Sequence, residues 1–382
     1  MDFQLSKMHL LQQELYRKFA ETEIAPLAHD MDESEVYSQE LLQKMQKYGF
    51  FGIPYGKEYG GVGADTLAYT LCMEEVSKVD ASTGITISVH TSLCCSCINE
   101  FGTEEQKQKF LRTLVDGSKI GCYGLTEPGA GSDVQGAQTV AVEDGDDYII
   151  TGSKVFTTNS GFADTCVVFA LTDRSVPAAK GMTAFIVDLK EMPCITVSEN
   201  IQRMGIRAAS NCIVTYDKVR VPKDRVLGKV GSGFKIAMKA LDAGRIGIAA
   251  QAVGIAQGAL NEAIKYGKER KQFGKTINSF QNTQFKMAEL QTKIDAARLL
   301  TWRAAKEKDN HGNYGPYAAM AKLFASDVAN EVTRACVQFM GGYGYCREYP
   351  VERMMRDAKI TEIYEGTSEV MKMVISGSMK LK

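Results

Sequence analysis

The chain has 382 residues, 45% of them hydrophobic and 24% charged, with a net charge of −1. That length exceeds one ordinary core and predicts two or three domains of a water-soluble globular protein. The charge balance gives no global reason to expect nucleic acid or an anionic membrane as partner. No apolar run reaches the roughly 18 residues of a membrane span, and the start, Met1-Asp2-Phe3-Gln4-Leu5-Ser6-Lys7, lacks the apolar centre of an export signal. The expected location is therefore the cytoplasm.

Residues 1–121 read as helical. Gln39 to Tyr48 puts Leu41, Leu42, Met45 and Tyr48 on one face at 3.6-residue spacing, and Glu104 to Leu114 repeats the habit. Near residue 121 the pattern changes, and residues 122–230 read as an antiparallel β-barrel or sandwich. Thr139–Val142 and Tyr148–Thr151 are β-prone runs joined by an Asp-Gly hairpin signal, followed by runs at Cys166–Thr172, Thr183–Asp188, Cys212–Tyr216 and Lys218–Val221. From 231 to 382 the helical habit returns, with long helices expected at Gly247–Tyr266, Thr283–Lys306 and Tyr317–Met340. Small residues in Ala243–Ala256 suggest close helix–helix packing. The predicted class is α+β multidomain: helices, sheet, helices.

Ten cysteines are scattered along a chain with no export signal, so free thiols are expected. Cys94 and Cys97 form a C-x-x-C, but no second ligand pair follows at zinc spacing and the four histidines show none, so no metal is expected.

Four segments carry potential chemistry. Leu125–Asp133 (LTEPGAGSD) offers backbone N–H groups and hydroxyls to an anionic or carbonyl-rich ligand, or is a plain interdomain loop. It lacks the lysine of a phosphate loop, and with no strand expected before it, it is no Rossmann fingerprint. Arg270-Lys-Gln-Phe-Gly274 with Phe280-Gln281, and Gln338-Phe-Met-Gly-Gly-Tyr-Gly344, each join a cation or amide to glycines. Ile363-Tyr-Glu-Gly-Thr367 sets one carboxylate between an aromatic and a glycine. Glu365 is either a solvated loop carboxylate or a general base against an apolar ligand.

Together with Gly152-Ser-Lys-Val-Phe-Thr-Thr-Asn159, these segments resemble the acyl-CoA dehydrogenase family along essentially the whole chain, most nearly its short-chain, butyryl-CoA-type branch of anaerobic bacteria. The resemblance implies a helical domain, a β-barrel domain and a C-terminal four-helix domain in a homotetramer that binds FAD. It implies that Tyr123, Leu125, Thr126, Gly131 and Ser132 line the flavin, with Phe156, Thr157 and Thr158 on its other side. Arg270 and Gln281 of a neighbouring subunit would hold the pyrophosphate and adenine end beside Gln338, Gly341 and Gly342, and Phe273, Phe280, Thr367 and Glu369 would also bind FAD. Ser132, Phe234, Asp242, Arg245 and Gly366 would lie on the CoA thioester side, although Asp242 and Arg245 also read as a helix charge pair.

The reaction so implied removes a proton from Cα, with Glu365 as base, and a hydride from Cβ to flavin N5. Backbone N–H of Glu365 would polarise the carbonyl where enolate charge develops. Some members carry the base just before the arginine of the segment that reads Leu241-Asp-Ala-Gly-Arg245 in this chain; Gly244 cannot abstract a proton. Gly244 and Ala243 are expected to leave space near the thioester, and His90–Cys97 falls in the acyl-pocket segment. The same site serves oxidation of an acyl-CoA or reduction of an enoyl-CoA such as acryloyl- or arylacryloyl-CoA, with an electron-transferring flavoprotein as partner. A relative that binds CoA or flavin without catalysis is the non-enzyme alternative.

Overall fold

The structure, a computed structural model, describes residues 4–381; Met1–Phe3 of the N-terminal run lie outside it. The helices of the first third form where side chains cap and pattern them. Ser38 accepts a hydrogen bond from the Leu41 N–H at 3.2 Å and starts Gln39–Lys47, whose Leu41, Leu42 and Met45 are buried as the periodicity expects. Tyr48 departs from that face: it lies past the helix end and is 57% exposed. The helix over 104–115 opens with a reciprocal capping box between Thr103 and Gln106.

Between them runs Ala81–Phe101, a helix inside the region read as helical but not singled out by its pattern. Its 21 residues and mean hydropathy of 1.2 are enough for a membrane span, against the reading that no such stretch exists. Serines, threonines, a histidine and cysteines interrupt the apolar run without lowering the average much. Its most apolar window is wholly buried in the protein, so it is a core helix. His90, in a wide π-helical turn at Val89–Cys95, ties this helix to the sheet. Its Nε2 donates to the Leu114 carbonyl at 3.0 Å and its Nδ1 accepts the Gly121 N–H at 3.0 Å, which requires the neutral ring.

The sheet contains β1 (Gly121–Gly124), β2 (Val140–Asp144), β3 (Asp147–Thr158), β4 (Thr165–Leu171), β5 (Met182–Asp188), β6 (Ile195–Val197), β7 (Asn211–Pro222) and β8 (Val226–Leu227). Their order is β6-β7-β3-β2-β4-β5-β8, with β1 beside β4. Most pairs are antiparallel, but β1 and one residue of β2 run parallel to β4, so the sheet is mixed. The β2–β3 hairpin turns at Gly145-Asp146, with Asp144 opposite Asp147. The two runs read at 212–216 and 218–221 are one strand. What separates them is a bulge at Asp217-Lys218, where Lys218 takes a φ of 55°. β1 also corrects the sequence reading, because it leads directly into the Leu125–Asp133 loop. Four wholly buried residues, two of them glycine, show no alternation by which a strand is recognised.

The C-terminal helices are Gly233–Glu269, Gln281–Asp309, Gly315–Met340, Val351–Ile360 and Ser368–Ser378. The first begins at Gly233 rather than Gly247, because Lys235, Lys239 and Asp242 on its half-buried face masked the pattern. Its small residues do allow a close approach. A methyl group at Gly254 would fall 2.4 Å from the Glu74 carbonyl oxygen, and one at Gly258 2.1 Å from that of Lys78. The Thr66–Ser77 helix thus lies directly on it, and the buried Glu74 carboxylate meets Arg298 Nε at 3.0 and 3.1 Å on the next helix.

Burial pushes the His90 imidazole down from 6.5 to about 4. Its folded value lies below its unfolded value, so stability present above pH 6.5 is lost as pH falls towards 4, by about 3 kcal/mol from this group. Urea unfolding across that window is expected to show a correspondingly shallower pH dependence for His90→Gln than for the parent. Equal slopes would rule out the neutral, buried ring as the cause.

Candidate active site

Glu365 stands in the turn between Val351–Ile360 and Ser368–Ser378, the latter capped by Thr367 Oγ1, which accepts from Val370 N at 3.3 Å. Glu365 and Gly366 both take left-handed backbone angles, φ 55° and 98°. For glutamate that conformation is costly, and such strain is found where surrounding structure enforces it. The turn tips the carboxylate back onto the Gly233–Glu269 helix at Gly244. A methyl group at Gly244 would sit 2.2 Å from Glu365 Oε2 and 3.1 Å from Leu93 Cδ2. The space expected beside the thioester at Gly244 is therefore the seat of the carboxylate itself.

Glu365 Oε2 is cut off from solvent and has no hydrogen-bond partner among the described residues. Burial raises this carboxyl from 4.5 to about 7, against the opposing pull of Arg245 and Lys322. Both cations bond to the backbone of the turn. Arg245 Nε donates to the Glu365 carbonyl at 3.3 Å while its Nη1 pairs with Asp242 at 2.6 Å, and Lys322 Nζ donates to the Gly366 carbonyl at 2.7 Å. The Asp242–Arg245 helix pair is real, and Arg245 also turns inward to the Glu365 carbonyl. Tyr364 is anchored by a hydrogen bond from its hydroxyl to buried Gln251. Lys322, Ser326 and Asn330 escaped the sequence reading. Their signal was a polar residue at every fourth position of the Gly315–Met340 helix, among small and apolar neighbours and a few further polar ones.

The second set of residues gathers at the end of β1. Glu127 and Ala130 exchange backbone hydrogen bonds across Pro128-Gly129, closing a tight loop. Beneath it, fully buried Lys154 donates to Glu127 Oε1 at 2.6 Å and to the Leu125 carbonyl at 3.1 Å. The Glu127 carboxylate also accepts the Gln138 and Thr139 N–H groups at 2.6 and 3.0 Å. Burial acts to raise Glu127, but Lys154 and those donors outweigh it and hold the carboxyl below its ordinary value. The Val155 N–H bonds the Thr126 carbonyl at 2.9 Å, placing Thr126 beside Phe156, Thr157 and Thr158. A bulge at Val155-Phe156 turns Phe156 outward, with φ 56° and 59% exposure, and Thr157 Oγ1 is buried without a partner. Gly131 and Ser132 are exposed on the same loop, whereas Tyr123 and Leu125 are core, the Tyr123 hydroxyl reaching the Ala237 carbonyl at 3.4 Å.

A third set forms a cleft of about 540 Å³ on the C-terminal helices, lined by Tyr266, Arg270, Phe339, Gly341, Gly342 and Tyr343 among others. Arg270 lies 5.5 Å from the Tyr343 ring centre. Gln281 and Gln338 are exposed, Phe280 is half-buried, and Phe273 is 94% exposed. Phe234 lies half-buried in the first turn of the long helix, and Glu369 is exposed in the turn after Thr367. Cys94, Cys95 and Cys97 are buried thiols pushed up by burial, with Cys95 Sγ 3.3 Å from His90 Nε2.

Family models for acyl-CoA dehydrogenase match the chain in three parts: the N-terminal domain at residues 6–118, the middle domain at 122–219 and the C-terminal domain at 231–380. The short-chain specific acyl-CoA dehydrogenase of Clostridium acetobutylicum is 54% identical over 379 residues, 99% of this chain and 100% of the relative. The CarC subunit of the caffeyl-CoA reductase–Etf complex of Acetobacterium woodii is 45% identical over 378 residues, 99% of each chain. The solved butyryl-CoA dehydrogenase of Megasphaera elsdenii superposes with a TM-score of 0.97 at 46% identity, covering 99% of this chain and 100% of that one.

Lys154→Met leaves the Glu127 charge buried without its counter-ion. It is expected to cost about 3–5 kcal/mol of unfolding free energy and to loosen the Leu125–Asp133 loop. Denaturant unfolding measures the first effect and loop proteolysis the second; a variant as stable as the parent would contradict the clamp.

Proposed function

The chain belongs to the acyl-CoA dehydrogenase family, and from that premise we propose that it interconverts a short-chain acyl-CoA and its trans-2-enoyl-CoA with Glu365 as the proton-transferring base. The single observation that carries this is the Glu365 carboxyl: half-buried, with Oε2 cut off from solvent and unpartnered among the described residues, and raised by burial to about 7. A carboxylate so desolvated is a stronger base than one in water, yet is still ionised near neutral pH. In the oxidative direction the Cα–H electron pair stays on carbon as Glu365 takes the proton, the Cβ–H pair departs as hydride, and the C=C bond forms. None of the described residues accepts the Glu365 N–H, which leaves it available to the thioester oxygen where enolate charge grows. The wall behind the base is filled: a methyl at Gly247 would fall 2.5 Å from the Tyr69 hydroxyl and 2.8 Å from Ser88 Oγ. That supports a short acyl chain.

The cofactor is a flavin, and the residues fit one. Thr157 Oγ1 is an orphaned donor beside Thr126, Arg270 stands at an open cleft, and Cβ atoms built at Gly129, Gly131, Gly341 and Gly342 meet nothing within 4 Å. We assign it as FAD, with Thr126, Phe156, Thr157 and Thr158 at the ring and Arg270, Gln281, Gln338, Gly341 and Gly342 of a neighbouring subunit at the phosphates and adenine, in a cytoplasmic homotetramer. Bound flavin supplies the acceptor for the hydride leaving Cβ. An electron-transferring flavoprotein is the proposed redox partner, and the likeness to a caffeyl-CoA reductase–Etf subunit favours enoyl-CoA reduction as the second reading.

Glu365→Gln is expected to lower turnover by at least about 10²–10⁴-fold while the flavin stays bound. In the parent enzyme kcat/KM should rise with pH through an apparent midpoint near 7. Both are read by steady-state assay over C3 to C8, branched and aryl thioesters in both directions. A flavin-loaded Glu365→Gln protein with undiminished turnover would sink the assignment.

A further inference from the structure

Lys322 is fully buried, and its hydrogen bond goes to a carbonyl rather than to a counter-ion. A buried ammonium so placed is expensive and needs compensation. It is also the first rung of a ladder. Ser326 and Asn330, one and two turns further along Gly315–Met340, donate to the Thr361 carbonyl at 2.8 Å and the Ala358 carbonyl at 3.1 Å. Residues four apart share one helix face, so a single rigid helix grips the chain at 358, 361 and 366 as it climbs to the base. Arg245, from the long helix, grips the carbonyl of residue 365.

We propose that Lys322 is a positioning residue for proton transfer: its ammonium on the Gly366 carbonyl fixes the left-handed Glu365–Gly366 turn and, with Arg245, favours the ionised Glu365 carboxylate. The inference rests on the reading of Glu365 as the base. Glu365 faces the cations Arg245 and Lys322 and the phenols of Tyr69, Tyr123 and Tyr364. Lys322 in turn faces Arg245, Glu362 and Asp327. Burial brings Lys322 down to about 8, so it is charged through the range in which Glu365 ionises. Because each cation bonds the backbone, the carboxylate is stabilised at a distance without being tied up by a hydrogen bond.

Removing the charge withdraws a favourable interaction from the ionised base, so its midpoint moves to higher pH. In the holoenzyme, Lys322→Gln keeps a donor without charge and is expected to shift the acidic limb of kcat/KM up by roughly one pH unit. Lys322→Met also loses the donor and should lower kcat by about 10-fold or more, and Lys322→Arg should restore the midpoint. The infrared band of the protonated Glu365 carboxyl, identified by its absence in Glu365→Gln, follows the same titration independently of turnover and should shift alike. Should Lys322→Met not fold, the Gln and Arg variants decide. An infrared midpoint unmoved in folded Lys322→Gln, alongside an inactive Glu365→Gln, overturns the role of Lys322 alone. An active Glu365→Gln overturns the base reading on which it rests.

Discussion

The close approach of the Gly233–Glu269 helix to its neighbours is the constraint on which the rest of the molecule depends. This helix touches the N-terminal helices, the sheet, the other C-terminal helices and the turn at Glu365. It can do so because Gly244, Gly247, Gly254 and Gly258 each leave a space that another group fills: a carboxylate, a phenol and two backbone carbonyls. Core overpacking typically costs about 1–3 kcal/mol per site, and against a backbone carbonyl there is little room to relax. The small residues therefore set the distance between layers, and the site inherits that distance.

Polar groups buried in such a frame must be satisfied or functional. Glu127 and Lys154 illustrate the first case: their hydrogen bonds to each other, to Leu125 and to Gln138 and Thr139 hold the Leu125–Asp133 loop against β3. Glu365, read as the proposed base, illustrates the second. The Glu365–Gly366 backbone is gripped by two cations from two helices, whereas Oε2 has no partner among the described residues. Rigidity is supplied through the carbonyls and reactivity is left on the side chain, a division that a direct salt bridge would have destroyed by lowering the carboxyl and occupying it.

Much of this was legible in the residues. The helix–sheet–helix order followed from periodicity and the hairpin from Asp-Gly, whereas the setting of Glu365 between Tyr364 and Gly366 left it open between a solvated carboxylate and a base. What the sequence hid has physical causes. β1 is short and buried on both faces, so it carries no alternation. The Ala81–Phe101 helix is buried all round, so it carries no amphipathic stripe, and polar residues satisfied inside the core disguised its apolar character. Lys322 reads as an ordinary charged residue, because burial is a property of the fold and not of the letter. Gly244 was read as vacancy; a missing side chain says nothing of which group from 120 residues away comes to fill the gap.

That last point constrains how such a site can change. A side chain at 244 and the Glu365 carboxylate compete for one space, because a methyl group there would sit 2.2 Å from Glu365 Oε2. A chain acquiring a glutamate at 244 while keeping Glu365 would force two acids into one volume, and a chain losing Glu365 first would have none. The space at Gly244 and the Glu365 side chain are therefore coupled: a change at either position alters what the other can hold.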